Sequence, residues 1–245
     1  MLPSIPILLS LFSDIHTHTP GRPGSILSVP AEKVGVVVAA NSEKPADLQQ
    51  YYSIELHPWH LTQDSIATFE SVVNQFRDDP HFVAIGECGL DGICATPLDL
   101  QLAAFRSALH LAHSLHKPVI NHCVKLWSEL IREVHLSLPR DATNGSNPSL
   151  PSDATNGSNP SNPSFVPVAA IFGRPSNLSN PSNLSNPSNP LNLSNPYIIH
   201  GFRKGPQLAR QLLDAGFSIS IGRHYNPDIL PLIPPHRLYH ETDED

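Results

Sequence analysis

Eight short apolar runs are spaced along the chain, at residues 11–15, 34–39, 51–56, 82–86, 118–121, 197–199, 217–221 and 237–240. Several are apolar at consecutive positions, as in VGVVVAA and FVAIG, and not at every second one. A strand with one wet face alternates. Continuous apolarity points to strands buried on both faces, as in a parallel sheet. Between the runs, residues 62–77, 98–116, 125–138 and 205–215 carry helical patterns, with Leu102, Phe105, Leu109 and Ala112 on one face of the second. This strand–helix alternation predicts an α/β fold, and eight strands predict a TIM-type (β/α)8 barrel. The first two connections are short and show little helix, so a doubly wound open sheet is the structural alternative.

Residues 141–196 do not fit either pattern. DATNGSNPS occurs at 141–149 and again at 153–161, and Asn recurs every third residue from Asn177 to Asn195. Ten of the chain's 26 prolines fall in these 56 residues, so much of the Pro excess describes a segment and not the fold. A period of three without Gly is not a collagen helix. Ser, Asn and Pro cannot build a core, so a disordered or extended insert is expected within a single barrel spanning residues 1–245. It follows a helix and precedes a strand, which in a barrel is the end opposite the active site. Closure entropy grows only logarithmically with loop length, so a barrel tolerates it there. The apolar island at 165–172 is a candidate docking segment, and the Asn177-Leu-Ser glycosylation triplets carry little weight in so biased a composition.

The formal net charge of -7 supplies no bulk field for nucleic acid, although a local patch or a metal still binds phosphate. Cys88, Cys94 and Cys123 are odd in number and lack zinc-motif spacing, which fits a reducing compartment. The apolar start, residues 1–12, lacks a basic n-region and reads as the lead-in to the first strand. No run is long enough to span a membrane, so a cytoplasmic protein with no membrane partner is expected.

Fourteen histidines are many for 245 residues, and several close the apolar runs. Asp14-Ile-His16-Thr-His18 ends the first run, and residues two apart on a strand share a face. Gly86-Glu87-Cys88-Gly89-Leu90-Asp91 follows a buried run, where a lone carboxylate is costly unless paired or bound to metal. Gly86 and Gly89 are expected to let the backbone approach a ligand. His122 and His200 each end an apolar run, and Glu241-Thr242-Asp243 ends the last. Singly, each has a bland reading as a satisfied structural residue. Together they gather His and carboxylate groups at one mouth of a barrel. Such a set, without thiolate, suits zinc, manganese or magnesium. Four histidines and two carboxylates exceed the needs of one ion, so two divalent metal ions sharing a carboxylate are inferred.

In this order the motifs resemble the TatD family of metal-dependent deoxyribonucleases, within the amidohydrolase-like barrels. The elements are the HxH pair, Leu56-His57-Pro58, Gly-Glu-Cys-Gly-Leu-Asp, PVI-x-H, the late strand-end His and Glu-Thr-Asp. HCVKLWSEL and IIHGFRKGPQLARQLLDAGFSISIG resemble short members of Bacteroidetes type. The resemblance covers nearly the whole chain outside the insert. It implies His16, His18, Glu87 and Asp243 around one ion and Glu87, His122 and His200 around a second. It also implies that Asp243 orients or deprotonates the attacking water, that Glu87 and Asp243 are the catalytic pair, and that Asp91 braces the ligands. His57 would meet the substrate phosphate. The implied reaction is phosphodiester hydrolysis, foremost in DNA, through metal-activated water.

Some positions depart from the family. Val124 stands where many members carry a basic residue, and Gly201 stands where a Cys is usual. Phosphate contacts are therefore expected from Lys125, Arg203 or Lys204. The sequence stops two residues after Asp243, so the usual closing C-terminal helix is expected to be lacking. Two rival readings follow: hydrolysis of a cyclic amide or lactone on the same barrel, and an inactive, truncated barrel. No lysine is placed to bridge two metals as a carbamate, since Lys117 precedes its strand, and this argues for the phosphodiester.

Overall fold

A computed structural model describes residues 9–138 and 196–243. The expectations for the insert, including the island and the glycosylation triplets, lie outside the described residues.

Eight strands form one parallel sheet in sequence order: β1 (Asp14–Thr17), β2 (Ser25–Pro30), β3 (Tyr51–Leu56), β4 (Phe82–Asp91), β5 (Val119–Val124), β6 (Tyr197–Ile199), β7 (Ser218–Ile221) and β8 (Leu238–His240). A doubly wound sheet reverses its strand order at a switch point, and this one never does. The described helices are α1 (Val34–Ser42), α2 (Gln63–Gln75), α3 (Leu98–Leu115), α4 (Trp127–Ser137) and α5 (Pro206–Asp214). Turns alone join β1 to β2, and two short 3-10 segments join β7 to β8. No helix follows β8 among the described residues.

Packing shows the curl of the sheet. Leu9, Ile15, Ile26, Val83, Ile198 and Tyr239 form one buried cluster, with Phe12 against it. These residues come from β1, β2, β4, β6 and β8 and from the lead-in, and strands that are not neighbours share a face-to-face core only inside a barrel. A second, larger core, including Tyr52, Phe105, Leu109 and Phe217, lies between strands and helices. The buried face of α3 holds Phe105, Leu109 and Ala112, as its spacing predicts, while Leu102 is partly buried. Between β1 and the segment after β8 there is a side-chain clasp in place of a ladder. Asp14 accepts from the Thr242 N–H at 3.2 Å and from the Thr242 hydroxyl.

Two expectations are corrected. Residues 34–39 are not a strand but most of α1, and β2 is Ser25–Pro30. The Val-rich run reads as strand by propensity. Parallel neighbours β2 and β3 need a crossover between them, however, and this run supplies its helix with Val36 72% exposed. SILSVP was illegible because its serines break the apolar run; both Ser25 and Ser28 are nonetheless buried. The second correction concerns Gly86 and Gly89. They make room for β5 and not for a ligand: a Cβ would stand 2.3 Å from the Ile120 carbonyl oxygen at Gly86 and 2.0 Å from that of His122 at Gly89.

Candidate metal centre

Glu87 sits where β4 carries one residue more than its neighbours. Ile54 and Leu56 of β3 pair with Ile85 and Cys88, and Val119 and Asn121 of β5 pair with the same two. The extra residue falls at Gly86–Glu87, and a bulge of this kind re-aims a side chain. The residue is 3% exposed. Its Oε1 lies 2.6 Å from His122 Nδ1, 2.6 Å from His200 Nε2 and 3.1 Å from His57 Nε2. Its Oε2 lies 3.3 Å from His16 Nε2 and 3.7 Å from His18 Nε2. Asp243 adds a second carboxylate, 3.6 Å from His18 Nε2 and 3.7 Å from His200 Nδ1. All six residues expected as ligands are thus brought together, from β1, β4, β5 and the ends of β6 and β8.

Charge and hydrogen bonding test whether cations fit this cluster. Burial alone would raise Glu87, but His200, His122, His16 and His18 outweigh it and hold the carboxyl well below its ordinary range. Burial would lower His200, yet Glu87 raises it to about 9. Glu87 draws His18 up as well, against burial. The cluster therefore demands positive charge. Both ring nitrogens of His16, and Nδ1 of His200, are buried with no hydrogen-bond partner. Buried imidazole nitrogens without partners are costly unless they ligate. His16, Glu87 and His200 form one group of donor atoms close enough to share an ion, and His16, His18 and Asp243 form another. The donor set fits divalent cations.

His57, Glu87 and His122 are a third such group, but the hydrogen bonds of His57 assign it another part. The Trp59 N–H donates to His57 Nδ1 at 3.2 Å, so the neutral ring carries its proton on Nε2, the atom facing Glu87. His57 is a donor at the edge of the cluster and has no lone pair left for an ion. Asp91 Oδ2 stands 3.1 Å from His122 Nε2, placed to accept from that ring N–H, and the tautomer this favours would offer Nδ1, 2.6 Å from Glu87 Oε1, to an ion. Burial would raise Asp91, but Trp59, the Ile93 N–H and His122 lower it.

Sequence reasoning missed several supporting groups. Asp14 is buried and accepts from the His16 N–H at 3.1 Å while clasping Thr242, the residue before Asp243. The Asp-x-His-x-His alternation was its available signal. Ser28 donates to Glu55 at 3.0 Å and receives the Glu87 N–H at 3.4 Å. Burial foremost, with Glu87 near it, raises Glu55. Beside Asp243 opens a cavity of about 600 Å3 lined by Arg22, Arg203, Arg223, His224, Glu241 and Thr242. Arg203 was expected at the site, whereas Arg22 and Arg223 were not. Lys125 is exposed at the end of β5 and does not line this cavity.

The TatD related DNase family matches residues 26–244. The chain belongs to the TatD family. It is 42% identical over 69 residues to the 3'-5' ssDNA/RNA exonuclease TatD of Rahnella sp. (strain Y9602), and 40% over 70 residues to that of Escherichia coli (strain K12). Each likeness covers 28% of this chain and 26% of the relative, so the chain matches about a quarter of these relatives' length. Among solved structures, the TatD homolog YJJV from Escherichia coli aligns over 96% of this chain and 79% of its own, with TM-score 0.61 and 19% identity. A TatD family hydrolase from Entamoeba histolytica aligns over 95% and 73%, with TM-score 0.59 and 16% identity. At those identities the likeness shows the TatD barrel fold.

Proposed function

We propose that the chain is a metal-dependent nuclease that hydrolyses phosphodiester bonds, foremost in DNA. The observation that carries this reading is the convergence of His16, His18, His122 and His200 on the buried Glu87, with Asp243 beside His18 and His200 and the nitrogens of His16 lacking hydrogen-bond partners. His16, His18 and Asp243 would hold one ion, His122 and His200 the other, with Glu87 shared. Bound there, zinc, manganese or magnesium would acidify water and offset charge on the phosphate. The rest falls to the chain's own groups. Asp243 is the more exposed carboxylate, at 17% against 4% for Glu87, and takes the proton of the attacking water. His57 holds a proton on Nε2 at the cluster's edge and donates it in a hydrogen bond to a phosphate oxygen. Arg203, with Arg22 and Arg223, offsets phosphate charge on the Asp243 side, and Lys125 does so at the end of β5. Asp91 keeps His122 in its ligating tautomer.

Family membership and the exonuclease names of the relatives support this reading over the amide or lactone alternative. No helix among the described residues is long and apolar enough to cross a membrane. The three free cysteines support a place in the cytoplasm. The test is elemental mass spectrometry of the purified chain and of Glu87→Ala, beside cleavage of a single-stranded DNA oligomer with each metal. About two ions per chain, falling sharply in the variant, and cleavage lost with them are expected. A chain that takes up no ion after reconstitution removes the reading.

A further inference from the structure

Trp59 is a large aromatic residue left 57% exposed, one of few such side chains. An exposed indole on a loop usually has no reason to hold one orientation. This one is held from two sides. Its Nε1–H donates to Asp91 Oδ2 at 2.6 Å, and its backbone N–H donates to His57 Nδ1 at 3.2 Å. The ring lies edge-to-face with His57 at 4.8 Å and with His122 at 5.9 Å between centroids. Asp91 is 1% exposed, and its other oxygen, Oδ1, accepts from the Ile93 N–H at 2.8 Å and the Cys94 N–H at 3.2 Å. Cys94 in turn reaches the Pro58 carbonyl at 3.8 Å. One buried carboxylate therefore fastens the loop after β3 to the loop after β4. It also orients His122 and fixes an exposed indole beside the metal centre, with Ile93, itself 65% exposed, on the adjoining loop.

We infer that Trp59 is a stacking platform for a nucleobase next to the phosphate being cleaved. This rests on the nuclease reading and adds how the substrate's base is held. The distances explain why the occupant is a base. Trp59 is one ring away from His57 and His122, the donor and the ligand on that side of the cluster. A nucleoside joins its base to its phosphate across one sugar, so a phosphate held at the cluster leaves the flanking base beside the indole. Stacking needs an unpaired base, so the platform selects single strands. It reads no hydrogen-bonding edge, so it accepts any base. The arginine-lined cavity beside Asp243 is built from the segments after β1, β6, β7 and β8 and serves charge; the β3 and β4 side serves the base.

The experiment uses the full chain carrying Trp127→Phe, so that Trp59 is the one remaining indole of the two in the sequence. A short single-stranded oligomer with phosphorothioate linkages, which resists cleavage, is titrated in while Trp fluorescence is read. Quenching on binding is expected. Read by the anisotropy of a dye-labelled copy of the oligomer, which needs no indole, Trp59→Ala should weaken binding roughly 5- to 100-fold, the size of one lost stacking contact, and Trp59→Phe should keep most of it. An oligomer with one abasic site at the platform position should bind the Trp127→Phe parent as weakly as the intact oligomer binds Trp59→Ala, and Trp59→Ala should not tell the two oligomers apart. Melting curves establish that the variants are folded. The inference is overturned if Trp59→Ala still discriminates intact from abasic oligomers as the parent does, or if binding leaves the fluorescence unchanged. A parent that neither binds nor cleaves any oligomer would instead remove the nuclease reading on which the inference stands.

Discussion

At Gly89 a single missing methyl group sets the distance between the strands that carry Glu87 and His122. A Cβ there would stand 2.0 Å from the His122 carbonyl oxygen, on a backbone with φ of +151°. Both terms, overlap and strain, act against any side chain. Gly89→Ala is expected to cost about 3 kcal/mol, read as a fall in the denaturant midpoint, and to disturb His122. An unchanged midpoint would mean that β4 and β5 are not so closely apposed. The same strand shows what was legible at this scale. The need of a buried Glu87 for partners follows from its apolar flank. Those partners are named by the His and Asp that end the other apolar runs, but their distances and the ring nitrogens they present are not, because they lie on strands separated by tens of residues. The Trp59 to Asp91 bond and the Asp14 to Thr242 clasp were equally out of reach.

Among the elements, α3 and α4 are tied by one ion pair. Arg106 grips Glu133 at 2.7 and 3.0 Å, and Arg132 adds a contact at 3.1 Å. The Glu133 side chain is 2% exposed, while that of Arg106 is 53% exposed. Burial raises the Glu133 carboxyl, but the two arginines outweigh it and lower it. A lowered folded value means the unfolded state binds the proton more readily. The pair's contribution is then fully present above the ordinary Glu value and is lost as pH falls through the folded one. Arg106→Met should lower the melting temperature at pH 7, with a cost of about 1–3 kcal/mol for the poorly paired carboxylate. The gap to wild type should shrink below about pH 4. A gap independent of pH would show that packing of the Arg106 stem, and not the ion pair, is what α3 loses. At this scale α2 to α5 and seven strands were readable, most of them within a few residues of their ends. The exceptions were α1 and β2, where the need for a crossover outweighed the β propensity of a valine run.

For the whole molecule, the relevant question is what the barrel requires. Its described strands and helices come from 9–138 and 196–243, and each proposed ligand lies within those ranges. We propose that residues 141–195 are dispensable for the barrel. Replacing them by about six Gly/Ser residues, an ordinary length between a helix and the next strand, should leave metal content unchanged. The melting temperature should stay within a few degrees of wild type. Loss of a cooperative transition in the shortened chain would assign the segment a structural part.

The parallel sheet, seven of its eight strands and the residues that gather at its mouth were legible in the sequence, while the count of eight was reached with the run at 34–39 standing in for β2. These are matters of local periodicity and of polar groups ending apolar runs, and both are written in consecutive residues. Tertiary structure alone decided that the valine run is a helix. It also placed the bulge at Gly86–Glu87 and set the Trp59 N–H against His57 Nδ1 and Asp91 against His122 Nε2. Those outcomes depend on which strands become neighbours and on which atom lies across from each ring nitrogen, and no spacing along the chain encodes either.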